Sequence, residues 1–188
     1  MITTNKDTAC IMRTEYLSPV GAITLACDGG GDRLIGLWND GQKYHGDEIY
    51  GKMMVERNDA PVFDAAKRWL DRYFARKKPS ISELPLAPAG SDFRQQVWDV
   101  LCAIPYGEVV TYGYIAKKMA ARMNRASMAS RAVGGAVGHN PISIIIPCHR
   151  VIGSNGSLTG YAGGVGVKIK LLELEGVDAA AFKPPFTR

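Results

Sequence analysis

Residues 111–138 read TYGYIAKKMAARMNRASMASRAVGGAVG, two short patterns of helical period on either side of a polar connection. Thr111 offers a hydroxyl to cap the first, and Tyr112, Ile115, Ala116 and Met119 fall on one face of it. Arg122 to Ala126 forms the connection. Ser127 is expected to cap the second helix, with Ala129, Ala132, Val133, Ala136 and Val137 as its buried face. The other face carries Arg131, Gly134, Gly135 and Gly138, one long cation among small residues. A glycine in a helix interior costs about 1 kcal/mol relative to alanine. Close approach of another backbone, which bulkier residues would hold away, is one compensation. Two partners fit: a neighbouring helix of the protein, or DNA on which the helix lies flat with Arg131 as the only probe long enough to enter. Two short helices joined in this way resemble a helix-turn-helix.

Upstream, Ser91-Asp92 opens another helix, with Phe93, Val97, Leu101 and Ile104 on one face and a stop before Pro105. Tyr106-Gly107 is a turn. Residues 77–90 contain Pro79, Pro85 and Pro88 and read as a linker, so the expected domains are 1–88 and 91–188. In the first, residues 10–17 and 21–27 are strand-like and joined by Ser18-Pro19-Val20-Gly21. Asp28-Gly29-Gly30-Gly31-Asp32 turns the chain into a third strand, Arg33 to Trp38. Asp59-Ala60-Pro61 starts a helix with Phe63, Ala66, Leu70, Tyr73 and Phe74 as its stripe, running to about Arg76. The fold class is therefore α/β: a small N-terminal antiparallel-sheet domain with helices, then a mainly helical C-terminal domain with a helix-turn-helix.

The chain has 188 residues, 46% hydrophobic and 22% charged, which excludes a disordered or collagen-like protein. No apolar run reaches the roughly 18–20 residues of a membrane span. Met1-Ile2-Thr3-Thr4-Asn5-Lys6-Asp7 lacks the apolar core of a secretory signal, so a cytoplasmic protein without membrane association is expected. The net charge of +5 is unevenly placed. Residues 1–88 are neutral, whereas residues 109–172 carry Lys117, Lys118, Arg122, Arg125, Arg131, Arg150, Lys168 and Lys170 with no Asp or Glu. Such a stretch reads as a surface for a polyanion or as a solvated basic face. Cys10, Cys27, Cys102 and Cys148 form no CxxC pair, so free thiols are expected, with Cys102 in the core.

Residues 140–164 read NPISIIIPCHRVIGSNGSLTGYAGG. An apolar run ends in Pro147, which puts Cys148 at the end of a buried segment. His149 and Arg150 follow directly, and cations beside a thiol favour its nucleophilic thiolate. If the segment is a strand, Cys148 and His149 point apart, which disfavours direct contact between their side chains.

Pro147-Cys148-His149-Arg150-Val151 resembles the active-site signature of the O6-alkylguanine-DNA alkyltransferases. Ile104 to Tyr112 resembles that family's entry into its DNA-binding helices, and Arg131 to Ala136 with Asn140-Pro141 resembles its recognition helix and the turn after it. Gly160-Tyr161-Ala162-Gly163-Gly164, Lys168 and Leu171 to Gly176 resemble its pocket loop and closing helix. Order and spacing agree from about Ser91 to Gly176; residues 1–90 match loosely.

The resemblance implies direct, single-use transfer of a methyl or other alkyl group from O6 of guanine in DNA to Cys148. It implies His149 as base through a water, Glu175 as its orienting carboxylate, and Asn140 tying the turn before the Cys148 segment. Tyr112 would donate a hydrogen bond to the guanine, backbone groups near Cys148, Val151 and Ala162 would read the base edge, and Tyr161 would form a pocket wall. Arg131 would fill the place of a flipped base, on a helix whose Ala132, Gly134 and Gly135 lie against the minor groove. The implied partner is double-stranded DNA carrying O6-alkylguanine, bound by a monomer without a cofactor. Some relatives bind structural zinc through N-terminal Cys and His; Cys10 and Cys27 fall near two such places, but the first histidine is His45, so no metal is expected. Ala162 stands where some members carry Ser, and the stretch Met119 to Met128 is longer than in the shortest members.

Overall fold

A computed structural model describes residues 10–44, 46, 53–158 and 160–183. The stretch Met1 to Asp7 read above as no secretory signal, His45, and Thr159, which precedes the pocket-loop motif, lie outside the described residues. Strands β1 (Cys10–Ser18), β2 (Gly21–Cys27), β3 (Leu34–Asn39) and β4 (Met53–Glu56) form one sheet in the order β3-β2-β1-β4. The three expected strands are antiparallel neighbours, but β4 pairs parallel to β1, which makes the sheet mixed. Helix α1 (Pro61–Phe74) has its proline at the first turn, where a missing N–H costs nothing, and packs Phe63, Ala66, Leu70 and Tyr73 into the core.

Residues 77–90 are not a slack linker. Leu34 N–H donates to Pro85 O at 2.9 Å and Ala87 N–H to Leu34 O at 2.8 Å, so the segment extends the sheet along the edge of β3. A proline-rich stretch suits an edge, where some N–H groups have no ladder partner. The same edge then takes the C-terminal half: Leu37 N–H donates to Pro141 O at 2.8 Å and Ser143 N–H to Leu37 O at 2.9 Å. One hydrophobic cluster crosses from Leu25, Leu37 and Phe63 to Val97, Ile115, Ile145 and Leu171.

The C-terminal half comprises α2 (Asp92–Cys102), β5 (Val110–Thr111), α3 (Tyr112–Arg122), α4 (Ser130–Gly138), β6 (Val151–Ile152) and α5 (Val165–Leu174). Ser91 and Thr111 cap α2 and α3 as expected, accepting from Arg94 N–H and Tyr114 N–H. Ser127 does not cap α4, which begins at Ser130 after Ala129 with no side-chain cap. The reason lies at the end of α3. Asn124 adopts a left-handed conformation, φ 50°, and the N–H groups of Arg125 and Asn124 return to Ala120 O and Ala121 O. That Schellman closure takes the chain out to Arg125, and further residues are needed to reach α4. Val133, Ala136 and Val137 are buried, whereas Ala129 and Ala132 are exposed, so the buried face is narrower than expected. Cys102 is half-buried.

Candidate active site and nucleic-acid face

The segment from Asn140 to Cys148 folds as tight turns and not as a strand. Ile145 N–H bonds to Ser143 O, Ile146 N–H to Ile142 O and Cys148 N–H to Ile146 O, and Ile144 sits at φ 69°. A β-branched residue in the left-handed region is strained, and such strain persists where surrounding structure fixes it. Asn140 supplies part of that fixing. Its Nδ2 donates to Ile146 O at 2.8 Å and to Cys148 Sγ at 3.1 Å, while its Oδ1 accepts from Ile142 N–H at 3.0 Å. Cys148, His149 and Arg150 form one 3-10 turn, so the alternation expected for a strand does not set their directions.

Cys148 is 4% exposed. Burial pushes its thiol up, against the Asn140 amide and the Lys168 charge, which favour the thiolate. Arg150 does not serve the thiol. It is turned to Glu175, with Nε to Oε2 at 2.8 Å and Nη2 to Oε1 at 2.9 Å. The cation that acts on the sulfur is Lys168, buried on α5, with Nζ donating to Val151 O. Burial brings the Lys168 ammonium down to about 8, and the Cys148 charge opposes that fall. The thiols of Cys27 and Cys102 are pushed up by burial to about 12 and about 11.

His149 is fully buried and its Nε2 lies 2.7 Å from Glu175 Oε1. Its Nδ1 is buried with no hydrogen-bond partner among the described residues. Burial lowers the imidazole below its ordinary value, with Glu175 pulling the other way. Burial alone would raise Glu175, but bonds from His149 and Arg150 hold it well below the usual carboxylate range. Gly107 N–H also donates to Glu175 Oε2 at 3.0 Å, and Tyr73 OH to Oε1 at 2.7 Å. An ionised carboxylate only accepts, so His149 carries its proton on Nε2 and presents a bare Nδ1.

Before the thiol lies an open cavity of about 570 Å³, lined by Lys43, Tyr44, Tyr112, Arg131, Gly134, Gly135, Gly138, Gly160, Tyr161 and Ala162. Cys148 and Val151 do not line it. Both backbone groups of Val151 are engaged, the N–H with Cys148 O and the carbonyl with Lys168, which leaves the carbonyl's second lone pair as its only means of reading a base. Ala162 O accepts from Lys43 N–H at 3.0 Å. Tyr161 is buried, and its hydroxyl accepts from Asn39 Nδ2 at 3.2 Å. Tyr112 OH is 3.4 Å from Gly160 O, and burial, then the Cys148 charge, raises it to about 12.

The glycines of α4 answer the question left by the sequence. A Cβ at Gly135 or Gly138 would meet nothing within 4 Å, and one at Gly134 only Tyr112 at 3.9 Å. Among the described residues no neighbouring helix packs closely on that face; only Tyr112, at the start of α3, comes within reach of Gly134. Arg131 is exposed and makes no hydrogen bond or ion pair among the described residues. Among the described residues no group of three or more His, Cys, Asp or Glu converges on a metal position, and no helix is long and apolar enough to cross a membrane.

The structure thus joins Cys148, His149, Glu175 and Asn140 behind the cavity and Tyr112, Tyr161, Ala162, Arg131, Gly134 and Gly135 around it; Ala132 is exposed on α4. Sequence reasoning missed Tyr73, Asn39, Lys43 and Tyr44, all from the N-terminal half, and gave Arg150 the wrong partner. A tyrosine on a core stripe was the available signal for Tyr73, because a buried hydroxyl needs a partner.

These features define a protein built on one buried thiol, followed in the chain by a carboxylate-anchored histidine, with an open small-residue helix face at the cavity. The family profile for the 6-O-methylguanine DNA methyltransferase DNA-binding domain matches residues 92–177, and that for its ribonuclease-like domain matches residues 11–88. The chain is 45% identical over 166 residues to the methylated-DNA–protein-cysteine methyltransferase of Methanosarcina acetivorans, covering 86% of this chain and 96% of that protein. It is 41% identical over 162 residues to the Haemophilus influenzae protein of the same name, covering 86% and 84%. A crystal structure of Mycobacterium tuberculosis OGT in complex with DNA superposes with a TM-score of 0.72 at 41% identity, covering 88% of this chain and 92% of that one. This chain belongs to the 6-O-methylguanine DNA methyltransferase family.

Proposed function

We propose that this protein repairs DNA by moving the alkyl group from O6 of guanine to its own Cys148, once per chain, as a cytoplasmic monomer. The observation that carries the reading is the pairing of a buried thiol and a Glu175-anchored His149 with an open basic helix face before them. Displacement at a saturated carbon needs a soft, strong nucleophile, and a thiolate is the best a protein has. The neutral thiol passes its proton to His149 Nδ1 through a water, and Glu175 stabilises the imidazolium. Sulfur then attacks the alkyl carbon; the S–C bond forms as the C–O6 bond breaks. Tyr112, held protonated, donates a hydrogen bond to the guanine as it is displaced from the alkyl carbon, and the proton held by the His149 imidazolium passes through solvent to the guanine, which stays in the strand as the neutral, repaired base. Overall the thiol proton and the alkyl group exchange partners. Water does not cleave the resulting thioether, so the site is spent.

A guanine inside a duplex cannot bring O6 to a thiol buried behind Tyr112 and Tyr161. The base is flipped, at a cost of a few kcal/mol. Arg131 takes its place in the stack while α4, the second helix of a helix-turn-helix, lies in the minor groove through Ala132, Gly134 and Gly135. The halves 1–88 and 91–188 act as supporting and DNA-binding domains. Duplex DNA carrying labelled O6-methylguanine tests the reading. Label is expected to saturate at one group per chain, on Cys148, and Cys148→Ser is expected to bind DNA and transfer nothing. Sustained turnover, or label on Cys10, Cys27 or Cys102, overturns it.

A further inference from the structure

The arrangement behind Cys148 has a member from the other half of the chain. Tyr73, in the last turn of α1, is 1% exposed and fixed by three rings: stacked on Trp69 at 5.5 Å, and edge-on to Phe74 at 5.3 Å and Tyr106 at 5.9 Å. Its hydroxyl is 2.7 Å from Glu175 Oε1 and 3.4 Å from His149 Nε2. We infer that Tyr73 is a positioning residue for alkyl transfer, which shares Glu175 Oε1 with His149 and sets how strongly the carboxylate draws on the imidazole. This rests on the reading of Cys148 as acceptor and His149 as its base.

Packing alone does not require the hydroxyl, because phenylalanine presents the same ring to Trp69, Phe74 and Tyr106. The hydroxyl's proton goes to Oε1, since Nε2 already holds one. Oε1 therefore serves three donors: Tyr73, His149 and Arg150 Nη2. Charge drawn toward Tyr73 is charge not available to an imidazolium. The groups facing His149 are Glu175 and Lys168 from α5 and its end, Arg150 from its own turn, Tyr161 from the pocket loop and Tyr73 from α1. Burial keeps both tyrosines protonated, so removing the Tyr73 hydroxyl deletes one donor and no charge. With that donor gone, Glu175 stabilises the imidazolium more and His149 becomes more basic.

The test uses the full chain with Tyr73→Phe. One readout is the ¹⁵N-histidine titration of His149, assigned with His149→Gln. The other is the pH dependence of reaction with free O6-benzylguanine, which needs no DNA. Both acid midpoints are expected to rise together by about half to one pH unit. Placing 3-fluorotyrosine at position 73 strengthens the donor and is expected to lower both; it carries the test alone if Tyr73→Phe does not fold. Midpoints that stay fixed overturn the inference, as does a rate reduced equally at every pH. Wild-type protein that takes no alkyl group on Cys148 overturns the underlying reading and this inference with it, whatever the His149 midpoint does.

Discussion

The two sides of Cys148 are built on opposite principles. Behind it, Glu175 accepts five hydrogen bonds, from Tyr73, Gly107, His149 and twice from Arg150, in a region closed to solvent. In front, α4 presents three glycines at which an added Cβ would meet almost nothing, and an arginine without a hydrogen bond or ion pair among the described residues. A buried ion pair is expensive to desolvate and is tolerated when its geometry is fully satisfied. A bare glycine face costs helix stability and returns nothing to the free protein. The rear is therefore optimised for the chain itself, and the front for something outside it. Substitutions behind Cys148 should damage folding and chemistry together, whereas those in front should separate them.

The largest effect is expected at the rear, where stability and chemistry should fall together. Glu175→Gln removes the counter-charge of Arg150, whose side chain is 8% exposed, and strands a buried guanidinium. Breaking a buried pair in this way costs about 3–5 kcal/mol, read as a lower urea midpoint, with alkyl transfer to free O6-benzylguanine falling as well. The pH dependence has a definite sign. Glu175 is held below its unfolded value, so its contribution is present in full above about pH 4.3 and fades as pH falls further. Wild type and variant should thus differ by a constant amount near neutrality and converge in acid. A variant as stable as wild type at pH 7 would mean that Arg150 finds another partner.

What the sequence made legible follows the same division. The front is written locally: Thr111, Arg131 and the glycines stand within 28 residues, and helical period arranges them. Cys148, His149 and Asn140 were also within reach, because they stand within ten residues of one another in the stretch that carries the family resemblance. The rear is assembled across the chain. Tyr73 meets Glu175 over 102 residues and Asn39 meets Tyr161 over 122, and no periodicity encodes such pairings. Arg150 beside Cys148 in sequence suggested an effect on the thiol, but the 3-10 turn sends it to Glu175. Strand β4 was missed because it is four residues long and pairs parallel to β1, so no hairpin turn announces it. The start of α4 was misread because a serine at 127 is an adequate cap on paper, while the Schellman closure of α3 is visible only once Asn124 is seen at positive φ.

At the front, Arg131→Ala should cost the fold little, within about 0.5 kcal/mol, as is usual for an exposed side chain without partners. Reaction with duplex O6-methylguanine should fall about a hundredfold, since flipping costs a few kcal/mol and its support is removed. Reaction with free O6-benzylguanine should stay within about twofold, because that substrate needs no flipping. Paired rate measurements on the two substrates decide the matter, and equal losses would move Arg131 from the DNA face to the pocket.

The smallest effect is the sharpest test of the comparison. Gly135 has no positive φ to protect, and a Cβ there meets no atom within 4 Å. Gly135→Ala should therefore stabilise the free protein by up to about 1 kcal/mol through helix propensity and reduced unfolded-state entropy. For a chain of this size that raises the melting midpoint by about 2–4 °C. Free-base reaction should not change, while duplex binding should weaken because the methyl group holds the groove away from α4. Gly160→Ala is the contrasting control. Its φ is +87° and its Cβ would stand 2.7 Å from the Tyr112 hydroxyl, so that glycine is required by the fold and its loss should lower the midpoint. A lower midpoint for Gly135→Ala would mean that the chain itself needs the bare face. A higher midpoint with unchanged duplex binding would mean that DNA lies elsewhere. Only the combination of a more stable protein and a poorer grip on duplex fits a helix whose glycines serve a partner and not the fold.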